Sequence, residues 1–176
     1  MSVVAVKKYK NRIVLGCDSQ ISTNGGNKLL VDDKNIEFCK IIKTNGLIIG
    51  LVGIPTDMSY MRMYAKTHKP KSTREEDMLE WFVEYVEWCR KKDKDYSPSK
   101  SRFIAIYRKE VYMIDGDFEI RKIKDYYAMG SGGFLALGAL FYDKTIKQAI
   151  RVAKEFDLYC GGETKIITRK NGINIK

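Results

Sequence analysis

Proline, histidine and cysteine are all scarce in this chain of 176 residues: there are three prolines, one histidine and four cysteines. Few prolines, with 44% apolar and 31% charged residues, exclude a disordered or low-complexity chain and predict a folded one. No apolar run approaches the roughly 20 residues a membrane span needs, so no membrane partner is expected. The start lacks the basic and apolar regions of a signal peptide, which argues against export and for a cytoplasmic chain. The cysteines, Cys17, Cys39, Cys89 and Cys160, are scattered. No two have the close spacing of a zinc or redox motif, so reduced thiols, no metal and no cofactor are expected. Acids are outnumbered, 22 against 32 bases, for a net charge of +10. A nucleic-acid partner has only that charge behind it. The bases are spread along the chain among acids, and the densest cluster, Arg90 to Lys94, falls where a helix should end and cations offset its dipole.

What is present reads as one domain over residues 1–176, built from alternating runs of strands and helices. VVAVKK (3–8) and RIVLGC (12–17) are two strands joined by a short polar turn. After CDSQIS comes a glycine- and asparagine-rich loop, STNGGNK, and IEFCKII (36–42) reads as a third strand. TNG is a turn, and GLIIGLVG (46–53) a buried strand. Pro55 opens a helix with Met58, Met61 and Tyr64 or Ala65 on one face. KTHKPKS breaks it, and His68 sits in that break as an exposed loop residue. Thr73 and Glu76 form a capping box for a second helix, about 74–92, with Met78, Leu79, Phe82, Val83 and Val86 at helical spacing. The methionines and aromatics of these helices are expected in the core or at an interface.

RFIAIYR, VYMID and FEI follow as three short strands with turns at RKE and DGD. DYYAMG leads into GSGG, then into a helix over GFLALGALFYD, and KTIKQAIRVAKEFD is an amphipathic helix with Ile146, Ala149, Ile150, Ala153 and Phe156 on its apolar face. ETKIITR and GINIK close the chain as two strands around a Lys-Asn-Gly turn. Segregated runs of this kind predict an α+β fold of layers, two sheets between two pairs of helices.

Five short stretches, in this order, carry a resemblance: VVAVKK at the start, GCDSQ at 16–20, IIGLVG at 48–53, AMGSGG at 128–133 and DLYCGG at 157–162, with ALGAL at 136–140 in agreement. They resemble the proteasome β-subunit superfamily, most closely its bacterial ATP-dependent branch, the HslV-type peptidase. The resemblance covers nearly the whole chain. It implies a four-layer αββα sandwich, the N-terminal-nucleophile hydrolase fold, assembled as a homo-oligomeric ring. It also implies a threonine- or serine-type endopeptidase acting on protein or peptide substrates, fed by a separate ATPase unfoldase. In such enzymes the first residue's hydroxyl attacks and its own α-amine, with a reference pKa near about 8, takes the proton.

The resemblance also assigns residues. Asp18 matches the aspartate that pairs with a lysine. Ser131, in MGSGG, matches the serine that hydrogen-bonds the terminal amine. A P-loop reading of the same glycine-rich turn lacks the Lys-Ser/Thr ending. Asp157 and Cys160 match an aspartate and a serine that brace the amine, the serine being replaced here by a weaker hydrogen-bonding thiol. Gly50 and Gly53 match glycines flanking the substrate groove. Two counts place the nucleophile differently: sixteen residues back from Asp18 gives Ser2, whereas laying VVAVKK on the family's first strand puts Met1 there. A slip of one residue moves a side chain to the opposite face of a strand. The lysine is the main departure, because anchoring on IIGLVG puts Glu37 or Phe38 in its place, with Lys40 or Lys34 near but out of register. Two readings therefore stand: a peptidase with Ser2 as nucleophile, tuned by Asp18, Ser131 and Asp157, or a catalytically degenerate subunit with a structural or binding role.

Overall fold

The computed structural model describes residues 2–22, 28–30 and 39–170. Two compact units emerge, Met1–Ile41 with Lys124–Lys176, and Ile42–Ile123.

In the first unit, strands β1 (Val4–Tyr9) and β2 (Arg12–Asp18) form a hairpin whose last pair is Tyr9 opposite Arg12. The short pair β3 (Gln20–Ser22) and β4 (Lys28–Leu30) follows, antiparallel. In chain order the next strands are β5 (Ile41–Thr44) and β6 (Leu47–Val52), helices α1 (Pro55–Ala65) and α2 (Glu75–Arg90), and strands β7 (Arg102–Tyr107), β8 (Glu110–Asp115) and β9 (Ile120–Lys122). The chain returns to the first unit with β10 (Tyr126–Met129), α3 (Gly133–Phe141), α4 (Ile146–Phe156) and β11 (Thr164–Lys170). The four-stranded sheet of that unit has the order β10-β1-β2-β11 and is antiparallel throughout.

Small side chains let α3 and α4 lie close on this sheet. Val3, Ala5, Ala128, Ala136, Leu140, Ile146, Ala149, Ile150 and Ala153 form one buried cluster. Gly16 is part of the same economy of space: a Cβ there would meet Ile146 Cγ2 at 2.6 Å and Ile150 Cδ1 at 2.7 Å. The amphipathic pattern places α4 as expected, except that Phe156 is exposed. Thr145 caps α4, and its side chain and that of Gln148 form a reciprocal capping box.

The second unit holds the sheet β5-β6-β7-β8-β9 with α1 and α2. Its core is aromatic: Phe82 and Phe103 meet at 5.4 Å between ring centroids, and Tyr85 and Phe103 at 6.2 Å. Met58, Met61 and Met78 are buried with them, which is the core role expected, while Met63 is exposed. His68 is an exposed loop residue, as expected, and its ring stacks on Tyr64 at 4.2 Å.

Several local expectations change. The capping box at Thr73 and Glu76 is absent, because α2 begins at Glu75 and its N-cap is Arg74, with no side-chain cap. Asp77 in the first turn instead accepts from Ser72 Oγ and from Arg74 Nε at 3.1 Å. The strand expected at FEI starts later, at Ile120, because Phe118 adopts a left-handed φ of 68° in a turn closed by its N–H to Asp115 O at 3.0 Å. Of the strand expected over 36–42, only Ile41 and Ile42 fall in β5; residues 36–38 and the closing GINIK lie outside the described residues.

Candidate active site

Four segments of the first unit meet around one carboxylate. Asp18, at the end of β2, is fully buried. Its Oδ1 accepts from Lys40 Nζ at 2.6 Å and from the Val3 N–H at 3.0 Å. Its Oδ2 accepts from the N–H groups of Gln20 at 3.3 Å and Gly161 at 3.1 Å. Lys40 is only 5% exposed. A buried ion pair is tolerated when its remaining lone pairs are satisfied, and Asp18 meets that condition with three backbone donors besides the lysine.

The resemblance predicted a lysine partner for Asp18, and Lys40 is that neighbour. The count back from IIGLVG crosses the link between β5 and β6, which is Asn45 and Gly46, both in the left-handed region at φ 44° and 77°. This is the tightest common hairpin connection, and a count carried across a turn is only as good as the turn's assumed length. Lys34, Glu37 and Phe38 lie outside the described residues.

Ser2 lies beside Ser131. Its N–H donates to Ser131 Oγ at 3.2 Å, and its carbonyl accepts from the Gly132 N–H at 3.3 Å. Ser131 Oγ also lies 3.4 Å from the Ser2 carbonyl and bonds the Asp157 carboxylate. Val3 faces Asp18 across the hairpin, with the Asp18 N–H on the Val3 carbonyl at 3.2 Å. Ser2 is thus the residue before the one that faces Asp18, 6% exposed at the Ser131 end of the strand. Met1, the alternative, lies outside the described residues.

Asp157 follows α4. Burial pushes its pKa up, but hydrogen bonds from Ser131, the Tyr159 N–H (2.9 Å) and Cys160 outweigh it and hold the carboxyl below its usual range. Cys160 Sγ donates to Asp157 Oδ2 at 3.3 Å. Burial, reinforced by the Asp18 and Asp157 carboxylates, pushes this thiol up to about 12, which suits a buried donor and not a nucleophile. Gly132 is needed at the turn into α3, since a Cβ there would meet Cys160 Sγ at 2.7 Å and Ala153 Cβ at 2.8 Å. Sequence reasoning missed Gln20, whose Nε2 donates to the Leu158 carbonyl at 3.2 Å, and Gly161, whose carbonyl accepts from the Ser19 and Gln20 N–H groups. Both lie inside the motifs GCDSQ and DLYCGG, which were the available signal.

Gly50 and Gly53 belong to the second unit. Gly50 is in β6 opposite Ile104. Gly53, at φ 136°, lies against Ser101, where a Cβ would meet Oγ at 2.2 Å.

Comparison with known proteins agrees with this arrangement. No protein-family model matches the chain. Its fold matches the BPH protein of Thiobacillus denitrificans, solved in complex with epoxomicin, at a TM-score of 0.84, with 17% identity over 97% of this chain and 100% of that one. The same protein solved without that compound in its title matches at 0.81, with 18% identity over 96% and 98%. The eukaryotic HslV of Trypanosoma brucei matches at 0.67, with 18% identity over 96% and 99%. These likenesses show the fold: an αββα fold shared with BPH and HslV. In sequence the chain is 30% identical over 168 residues to the proteasome subunit beta of Nanoarchaeum equitans (strain Kin4-M), spanning 88% of this chain and 82% of that protein. The chain belongs to the proteasome β-subunit family.

Proposed function

We propose that this chain is the subunit of an HslV-type endopeptidase, with Ser2 as an N-terminal nucleophile. The observation that carries this reading is the position of the Ser2 nitrogen, 3.2 Å from Ser131 Oγ, in the unit that also buries the Lys40–Asp18 pair. Removal of Met1, which the small size of serine favours, turns that nitrogen into a primary amine. Ser2 Oγ then attacks the scissile carbonyl carbon while the amine takes the hydroxyl proton. The tetrahedral intermediate collapses, the C–N bond breaks, and the amine passes its proton to the leaving nitrogen. Water, deprotonated by the same amine, hydrolyses the ester.

The other residues tune that amine. Lys40 shares an Asp18 oxygen with the Val3 N–H, so its positive charge stands next to the peptide that follows Ser2. An α-amine has a reference value near about 8 and is a usable base near neutral pH. Ser131 and Asp157 hold the amine's direction. Gly50 and Gly53 flank the groove that takes an extended peptide. The substrate is unfolded protein, admitted to a homo-oligomeric ring by a separate ATPase in the cytoplasm. Exposed Phe134, Phe141, Tyr142, Phe156 and Leu158, on and beside α3 and α4, support burial against other copies.

The test has two readings of mass. Protein made in its native host is expected to lack Met1. Epoxomicin, the compound bound in the Thiobacillus structure, is expected to add to the N-terminal peptide carrying Ser2, and not to Ser2→Ala. Retained Met1 rejects Ser2 chemistry and leaves a structural subunit, and an adduct unaffected by that substitution rejects Ser2 as the nucleophile.

A further inference from the structure

The two charged residues at the centre of the site are each preceded by a cysteine. Cys17 leads into Asp18 and Cys39 into Lys40. The carboxylate and ammonium meet at 2.6 Å, and the two thiols meet as well, hydrogen-bonded to each other. One juxtaposition of two segments therefore yields both an ion pair and a thiol pair. Cys17 is fully buried and Cys39 half-buried. The other two cysteines are differently placed: Cys160 is bonded to Asp157, and Cys89 is buried in α2 of the second unit.

We propose that Cys17 and Cys39 are a redox modification site, in which a peroxide joins them as a disulfide and displaces the Asp18–Lys40 pair. The half-buried Cys39 sulfur attacks the peroxide, giving a sulfenic acid and water. The Cys17 sulfur then displaces the hydroxyl from Cys39, its proton leaving with that hydroxide as a second water. Two thiols and one hydrogen peroxide thus give one disulfide and two waters, and a dithiol reductant reverses the bond. The hydrogen bond from Cys39, and burial after it, hold the Cys17 thiol well above its ordinary value, consistent with Cys17 reacting second. A disulfide brings sulfurs to about 2.05 Å, far inside the separation of two thiols in contact. The adjacent residues must follow, and Asp18, already bonded to four donors, has no slack to absorb the shift.

The experiment uses the full chain, reduced and then exposed to hydrogen peroxide. The intact mass under non-reducing conditions is expected to fall by two hydrogens. A digest is expected to contain a peptide joined through Cys17 and Cys39 that dithiothreitol separates. Cys39→Ser should show neither of these. The activity arm rests on the peptidase reading: turnover should fall at least about tenfold and recover with dithiothreitol, and Cys39→Ser should be insensitive to peroxide. A chain that hydrolyses nothing even when reduced fails the peptidase reading alone, since the intact mass and the joined peptide still decide the bond. Separate sulfinic or sulfonic acids, a Cys39 bond between two chains, or full activity in the disulfide form overturns the proposal.

Discussion

The two units each bury an aspartate, and they treat it oppositely. Asp18 is fully buried and faces a lysine ammonium and three backbone N–H groups. Asp57, in the first turn of α1, is 2% exposed and is bonded by the Ser101 and Tyr96 hydroxyls. Tyr85 extends that network, to Tyr96 at 2.7 Å and to the Asp57 carbonyl at 3.2 Å. Burial pushes the Asp57 carboxyl up, and the hydrogen bonds from Ser101 and Tyr96 offset it only in part. Asp18 is compensated by a cation and by backbone donors. Asp57, held by neutral hydroxyls, is a fastener that binds α1 to the loop before β7.

The sharpest way to break this contrast is Lys40→Met, which strands the buried Asp18 charge. It should destabilise the fold by about 3–5 kcal/mol in denaturant unfolding, and abolish peptide turnover. Ser101→Ala removes a donor to Asp57 and an acceptor for the Ile54 N–H at 3.1 Å. The expected loss is about 1–3 kcal/mol, with the Ser2 site intact by its reactivity. Asp57→Asn sharpens the comparison through pH. A carboxyl raised in the fold contributes stability that is fully present below its ordinary value of 3.8 and lost as pH rises through the folded value. Asparagine does not titrate, so the stability difference between variant and parent should move in the variant's favour as pH rises through that window. Cys160→Ser should be the mildest, stabilising by less than about 1 kcal/mol through a stronger hydrogen bond to Asp157.

The sequence made the layers legible where one physical signal dominated. Alternation placed β1 and β2, and helical spacing placed α2 and α4. The site was legible wherever a residue sat inside a short motif: Asp18 in GCDSQ, Ser131 in AMGSGG, Asp157 in DLYCGG. It was not legible where a position had to be counted across a turn. Lys40 was left out of register because the link through Asn45 and Gly46 is so short, and the choice between Ser2 and Met1 hung on the turn at Lys10 and Asn11. The false capping box has another cause. Thr73 and Glu76 have the right spacing, but Asp77, Ser72 and Arg74 make a competing set of bonds that starts the helix later. The thiol pair was hidden altogether, since Cys17 and Cys39 are distant in the chain and only the fold brings them together.

The central claim is that Ser2, freed of Met1, is the attacking group. Turnover of an unstructured fluorogenic peptide by the processed parent chain and by Ser2→Ala tests it most directly. Hydrolysis by the parent with none above background in the variant is the predicted result. Equal turnover by both chains, or none by a parent whose Ser2 amine is free, contradicts it.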